Sequence, residues 1–163
     1  MIIAARSILV AVIAVVASTF TIVAGTTSTA SAATVQEIRS MDPATYEKKV
    51  QYWVNRVRAN HGKSTLRFHS CTDKYSERWS RHLASTLRFY HQDLSPFFND
   101  CGARYAGENL ARGVVTPRRV VELWMNSDAH RRVMLSTSPR RVGVAAVLDS
   151  RGDWVITANF TRL

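Results

Sequence analysis

Four side chains carry the chemistry that this sequence offers. Glu108 lies in Gly107-Glu108-Asn109, which reads as a tight turn, and Asp128 and His130 stand two residues apart in Ser127-Asp128-Ala129-His130. A second imidazole, His91, sits upstream in Phe89-Tyr90-His91, beside a Ser95-Pro96 break. If the chain folds back, two imidazoles and two carboxylates meet in one cluster. Two imidazoles, His91 and His130, suit Zn²⁺ or a similar divalent cation, with water filling the remaining positions. The acids would orient the rings, hold outer water, or supply a general base, with Glu108 and Asp128 the candidates; hydrolysis is the reaction such parts support. The same four groups equally make a buried hydrogen-bonded network that only fixes helices on a sheet. Neither acid is therefore assigned as catalytic. No G-x-S-x-G elbow or HExxH pair offers another enzyme chemistry, and no organic cofactor is expected.

Several elements must position these groups. Pro43 behind Asp42 opens a helix whose Tyr46, Val50, Trp53, Val54 and Val57 form one face, ending near His61-Gly62. His61 reads as a charge on that helix's C-terminal dipole rather than a ligand. Residues 63–69 form a connector or a short edge strand. Ser70 caps a second helix from Cys71 to about Arg88, with Tyr75, Trp79, Leu83, Thr86 and Leu87 as its stripe and His69 and His82 as surface residues. The aromatic stretch 89–102 is a loop of the kind where sites gather. Thr116-Pro117 starts a third helix with Val120, Val121, Leu123 and Trp124 buried. Residues two apart on a helix diverge by about 200°, so Asp128 and His130 converge only if the backbone breaks near Ser127 or Asp128, and such a break is expected. A further short helix ends by Ser138-Pro139. Val142 to Leu148 and Trp154 to Phe160 then form a hairpin around Asp149-Ser150-Arg151-Gly152, apolar enough to be covered on both faces.

The N-terminus reads as an export signal. Arg6 precedes the apolar run Ile8 to Ala17, and a Ser/Thr/Ala-rich stretch ends in Ala30-Ser31-Ala32-Ala33, so residues 1–33 are expected to be a cleaved signal peptide. Residues 34–42 form a polar lead, and 43–163 form one domain. Export places Cys71 and Cys101 in an oxidising compartment, where they are expected to pair. Of the 22 Lys and Arg only Arg6 precedes residue 34, and none of the 12 Asp and Glu does, so the remainder keeps a net charge of about +9. That charge suits anionic envelope polymers or lipids as partners. The arginines are dispersed and not interleaved with aromatics, so no specific nucleic-acid binding is expected.

Gly107-Glu108-Asn109, Trp124-Met125-Asn126-Ser127-x-x-His130-Arg131 and Val142-Gly143-Val144, in this order and closing in Ala158-Asn159-Phe160, resemble the bacterial branch of the CAP superfamily: cysteine-rich secretory proteins, antigen 5 and pathogenesis-related 1. The resemblance covers Tyr46 to Phe160. It implies an α+β fold, a three-layer α-β-α sandwich with helices on both faces of a small, mainly antiparallel sheet. It also implies a cavity tetrad at His91, Glu108, Asp128 and His130, and a secreted protein. Family relatives that bind lipids make a non-catalytic lipid, sterol or envelope-docking role the alternative to metal binding. Two departures matter. Asp128 stands where this branch usually has Glu, shortening the carboxylate's reach by about 1.5 Å, one bond length. Ile156-Thr157-Ala158 replaces a more polar pair before Asn-Phe, which implies a more apolar cavity wall.

Overall fold

The computed structural model describes residues 34–163; the expected signal peptide over 1–33 lies outside the described residues. The polar lead is helical over residues 34–39. Helix α1 (Pro43–Asn60) starts where Asp42 accepts a hydrogen bond from the Thr45 amide at 2.8 Å, with Pro43 in the first turn. Strand β1 (Arg67–Phe68) follows, then α2 (Ser70–Thr86), the short α3 (Ser95–Asp100), β2 (Tyr105–Gly113), α4 (Pro117–Met125), α5 (Asp128–Leu135), β3 (Arg141–Leu148) and β4 (Trp154–Arg162). The sheet order is β1-β3-β4-β2, with only the β1–β3 pair parallel.

Alternation along the strands builds two different faces. Val142, Val144 and Ala146 of β3 and Trp154, Ile156, Ala158 and Phe160 of β4 meet Tyr46, Val50 and Val54 of α1, Val120, Val121 and Trp124 of α4, and Met134 of α5 in the main apolar core. The opposite face packs on α2 and is largely polar. Ser76 Oγ donates to the Gly143 carbonyl at 3.0 Å, Ser80 Oγ bonds Thr157 Oγ1 at 2.9 Å, Thr72 bonds Thr161 at 2.8 Å, and Asn159 Nδ2 donates to Ser76 Oγ at 2.9 Å. Leu83, Ala84, Leu110 and Val155 supply a small apolar patch at its far end. The layers thus form the expected α-β-α sandwich. Ile156 and Ala158 belong to the apolar core, on the face opposite Thr157 and Asn159, so they do not make the wall beside Glu108 more apolar.

Two glycines mark close approaches. A Cβ at Gly143 would fall 2.4 Å from the Asp73 backbone, so α2 lies directly on β3 there. At Gly107 it would meet Tyr105 and Val133 at 3.0 and 3.2 Å. That glycine serves packing within a strand; the tight turn expected at Gly107-Glu108-Asn109 is instead the middle of β2, whose nine residues all pair with β4. His69, rather than Ser70, caps α2, its Nδ1 facing the Thr72 amide at 3.4 Å. Cys71 and Cys101 are joined, tying the first turn of α2 to the end of α3. Closing a loop of this length contributes about 3 to 4 kcal/mol on the chain-entropy account.

β1 covers only the start of β3. Beyond it, side chains complete the edge: the Val144 amide donates to Asp73 Oδ1 at 3.1 Å and the Ala146 amide to Glu47 Oε1 at 2.9 Å. Burial, with Glu77 and Asp73 close by, pushes the Glu47 carboxyl up to about 7, and Glu77 is itself paired with Arg81 at 2.5 Å.

Gly143→Ala is expected to cost about 2 to 3 kcal/mol, because the methyl group has only backbone to push against, and a urea titration would show the lowered midpoint. Folded Glu47 holds a proton that the unfolded chain has released between about pH 4.5 and 7, so stability falls as pH rises through that window. Glu47→Gln keeps an acceptor for Ala146 without the charge. Thermal melts should show it about 1 kcal/mol more stable than the parent at pH 8, after allowing for partial exposure, and equal to it near pH 4.

Candidate functional site

Glu108 occupies the centre of β2 and is in register with Asn159 of β4, which is in turn in register with Gly143 of β3. These three positions share the α2 face, so one line of residues runs across the sheet beneath Ser76. The segment between α2 and α3 closes over its outer end. His91 Nδ1 lies 2.6 Å from Glu108 Oε1, and the Gln92 amide donates to the same oxygen at 3.3 Å. Gln92 Nε2 donates to Glu108 Oε2 and, at 3.1 Å, to Asn159 Oδ1. Glu108 is therefore gripped on both oxygens. Its side chain is 2% exposed, whereas that of His91 is 62% exposed, so the pair joins a buried acid to an imidazole open to solvent. Burial raises the Glu108 carboxyl above its ordinary range, and the bonds from Gln92 and His91 oppose that rise.

The segment carrying His91 is held at three points. α2 ends in Leu87, whose φ of 56° turns the chain out of the helix. Arg112, from β2, gathers the carbonyls of Leu83, Leu87 and Arg88 at 2.8 to 3.0 Å, which places a cation on the C-terminal end of α2. Farther along, Trp79 Nε1 donates to the Tyr90 carbonyl at 3.1 Å, and His82, stacked on Trp79, meets the Tyr90 hydroxyl at 2.6 Å. His82, partly buried, thus keeps the position near the surface expected of it and also fastens the loop.

The backbone break expected near Ser127 is present: α4 ends at Met125, and Ser127 is extended before α5 begins. It precedes both Asp128 and His130, however, so the two still share one helix and point apart. His130 is half-buried on the site side. Asn109, the neighbour of Glu108, donates to the His130 carbonyl at 3.1 Å and fixes α5 against β2. Burial lowers the His130 pKa, and the charge of His91 lowers it further, so the two imidazoles sense each other. Asp128 is exposed and lines a separate hollow with Arg131, Arg132, Leu135 and Ser136. Among the described residues, no group of three or more His, Cys, Asp or Glu side chains stands together as a metal cluster. The structure thus joins His91 to Glu108, brings His130 within electrostatic reach, and leaves Asp128 outside. Gln92 and Asn159 complete the grip on Glu108. Asn159 was visible only as part of the closing Asn-Phe, and nothing in the sequence marked Gln92.

The chain and its fold have relatives. The model of the cysteine-rich secretory protein family, CAP, matches residues 51–160. The chain is 36% identical over 109 residues to the protein YkwD of Bacillus subtilis (strain 168); the match takes in 63% of this chain but only 42% of YkwD. Its fold is similar to that of an outer surface protein from Borrelia burgdorferi, with a TM-score of 0.67 and 18% identity over 75% of this chain and 96% of that one. An extracellular SCP-domain protein from Bacillus anthracis str. Ames superposes with a TM-score of 0.65 and 20% identity, over 74% of this chain and 41% of that one.

Carboxyl-carbon NMR is expected to show Glu108 titrating above 4.5 and imidazole resonances to show His130 titrating below 6.5. Gln92→Ala removes bonds that favour the carboxylate and should move the Glu108 midpoint further up. A midpoint at or below 4.5 in the parent protein would contradict burial as the dominant influence.

Proposed function

Since this chain belongs to the cysteine-rich secretory protein, or CAP, family, we propose that it is an exported domain whose His91 and His130 bind a divalent cation reversibly, with Glu108 orienting His91. The observation that carries this reading is the His91–Glu108 contact. With Nδ1 donating to a buried carboxylate, Nε2 keeps its lone pair, the arrangement by which carboxylates set the tautomer of a ligating histidine. The burial that lowers the His130 pKa favours the neutral ring, the form that ligates. Two imidazoles without a third protein ligand suit weak binding completed by water. The donor set fits Zn²⁺ or a similar ion, and such an ion would supply a Lewis acid and an acidified water. The chain's own contribution is to hold the rings, with Glu108, gripped on both oxygens, keeping the His91 proton on Nδ1.

Export fits the leader expected over residues 1–33, and among the described residues no helix is long and apolar enough to cross a membrane. A second reading, an apolar ligand such as a lipid or sterol, draws on Phe89, Tyr90 and Phe98, all exposed within or beside the segment that carries His91.

Zinc titration by calorimetry is expected to give about one equivalent in the parent protein, a loss of tenfold or more in affinity for His91→Ala and for His130→Ala, and no change for His61→Ala or Asp128→Ala. Undiminished zinc binding by both single-histidine variants, or none by the parent, would overturn the metal reading. Lipid that copurifies with the double-histidine variant as it does with the parent would favour the second.

A further inference from the structure

Where β1 pairs with β3, the register sets Arg67 beside Arg141. Parallel neighbours of like charge repel, yet among the described residues no acid pairs with them. With Arg140, Ser64 and Thr65 they line an open hollow of about 380 Å³, within the range of small-ligand sites. Arg140 is held in place, its Nη1 donating to the carbonyls of Thr137 and Pro139 at 2.6 and 3.0 Å. Arg58 adds a fourth cation. Fully buried, it donates from Nε to the Ser64 carbonyl at 2.8 Å and from Nη1 to the Met134 and Ser136 carbonyls, while its Nη2 has no partner among the described residues. Burial first, and then the charge of Arg140, disfavours the charged form of Arg58, so these two cations lie close enough to oppose each other. None of these four arginines makes an ion pair among the described residues, and neither the Ser64 nor the Thr65 hydroxyl makes a hydrogen bond there.

A hollow lined by three guanidinium groups and two unused hydroxyls offers donors and positive charge. We infer that the Ser64–Thr65–Arg67–Arg140–Arg141 hollow is a binding site for a phosphoryl group carried by an envelope polyphosphodiester or a lipid headgroup. A phosphodiester presents two anionic oxygens on a tetrahedral centre and a negative charge that does not titrate near neutral pH, and guanidinium forks match its geometry. The repeated charge of a polymer or a lipid surface would also draw on the net charge of about +9 carried by residues 34–163. The hollow shares no residue with the His91–Glu108 group, so either proposal can fail alone.

The test is titration of the purified protein with linear polyphosphate by calorimetry at about 50 mM salt, and sedimentation with phosphatidylglycerol vesicles. R67Q/R141Q should weaken binding to whichever probe is held by about tenfold or more, the loss of one good charge-assisted contact. R118Q/R119Q removes the same charge from two exposed arginines already paired with Glu122, and should change it less than about threefold. Loss confined to polyphosphate identifies a soluble polymer as the source, and loss confined to vesicles a headgroup; both support the site. Equal losses in the two double variants would reduce the effect to net charge and overturn it, as would no binding to either probe. Should R67Q/R141Q fail to fold, S64A/T65V removes both hydroxyls at unchanged charge, and several-fold weaker binding is expected; unchanged binding would overturn the site.

Discussion

The close approach of α2 to the sheet at Gly143 sets the geometry of everything on that face. With no Cβ in the way, the helix backbone rests on the strand, and short hydroxyl side chains reach sheet atoms that a longer gap would leave to water. Ser76 and Ser80 bond carbonyls of β3 and side chains of β4 directly. Buried polar groups are tolerable only when paired, and here the pairing is mutual. The outcome is a polar layer between helix and sheet, on the side opposite the large apolar core.

That polar layer is continuous with the site. Ser76 accepts from Asn159, Asn159 accepts from Gln92, and Gln92 holds Glu108, which holds His91. A buried carboxylate is costly unless its oxygens are satisfied. The same bonds that make Glu108 tolerable fix the orientation of the imidazole beside it. A buried carboxylate on the sheet's edge strand is thereby linked to a ring at the surface by groups whose first duty is packing.

Much of this was legible in the residues. Asp42-Pro43 and Thr116-Pro117 announced helix starts by capping chemistry, and the alternation from Val142 onward announced a hairpin buried on both sides. Local signals failed where tertiary contacts decided. Gly107 looks like a turn residue but leaves room for Val133 of α5 and for the Tyr105 ring of its own strand, so the middle of a strand read as a bend. The polar stripe Thr72, Ser76, Ser80 was overlooked because helix faces are sought by their apolar residues. Asp128 was drawn toward His130 by nearness in sequence, though two residues on one helix face apart. The part His82 plays in holding the loop was hidden because its partners, Trp79 and Tyr90, are brought together by the chain's exit from α2.

The carboxylates at the rim of β3 have a wider meaning for the molecule's dealings with its neighbours. A strand that ends with bare amides is an invitation to any extended peptide, and β1 shields only the beginning of β3. Asp73 and Glu47 already occupy two of the amides an incoming chain would have to bond. An intruder must first evict both acids and then bring backbone carbonyls up to a cluster of like charge. The domain can thus be crowded against other polypeptides while resisting their addition to its sheet along that margin.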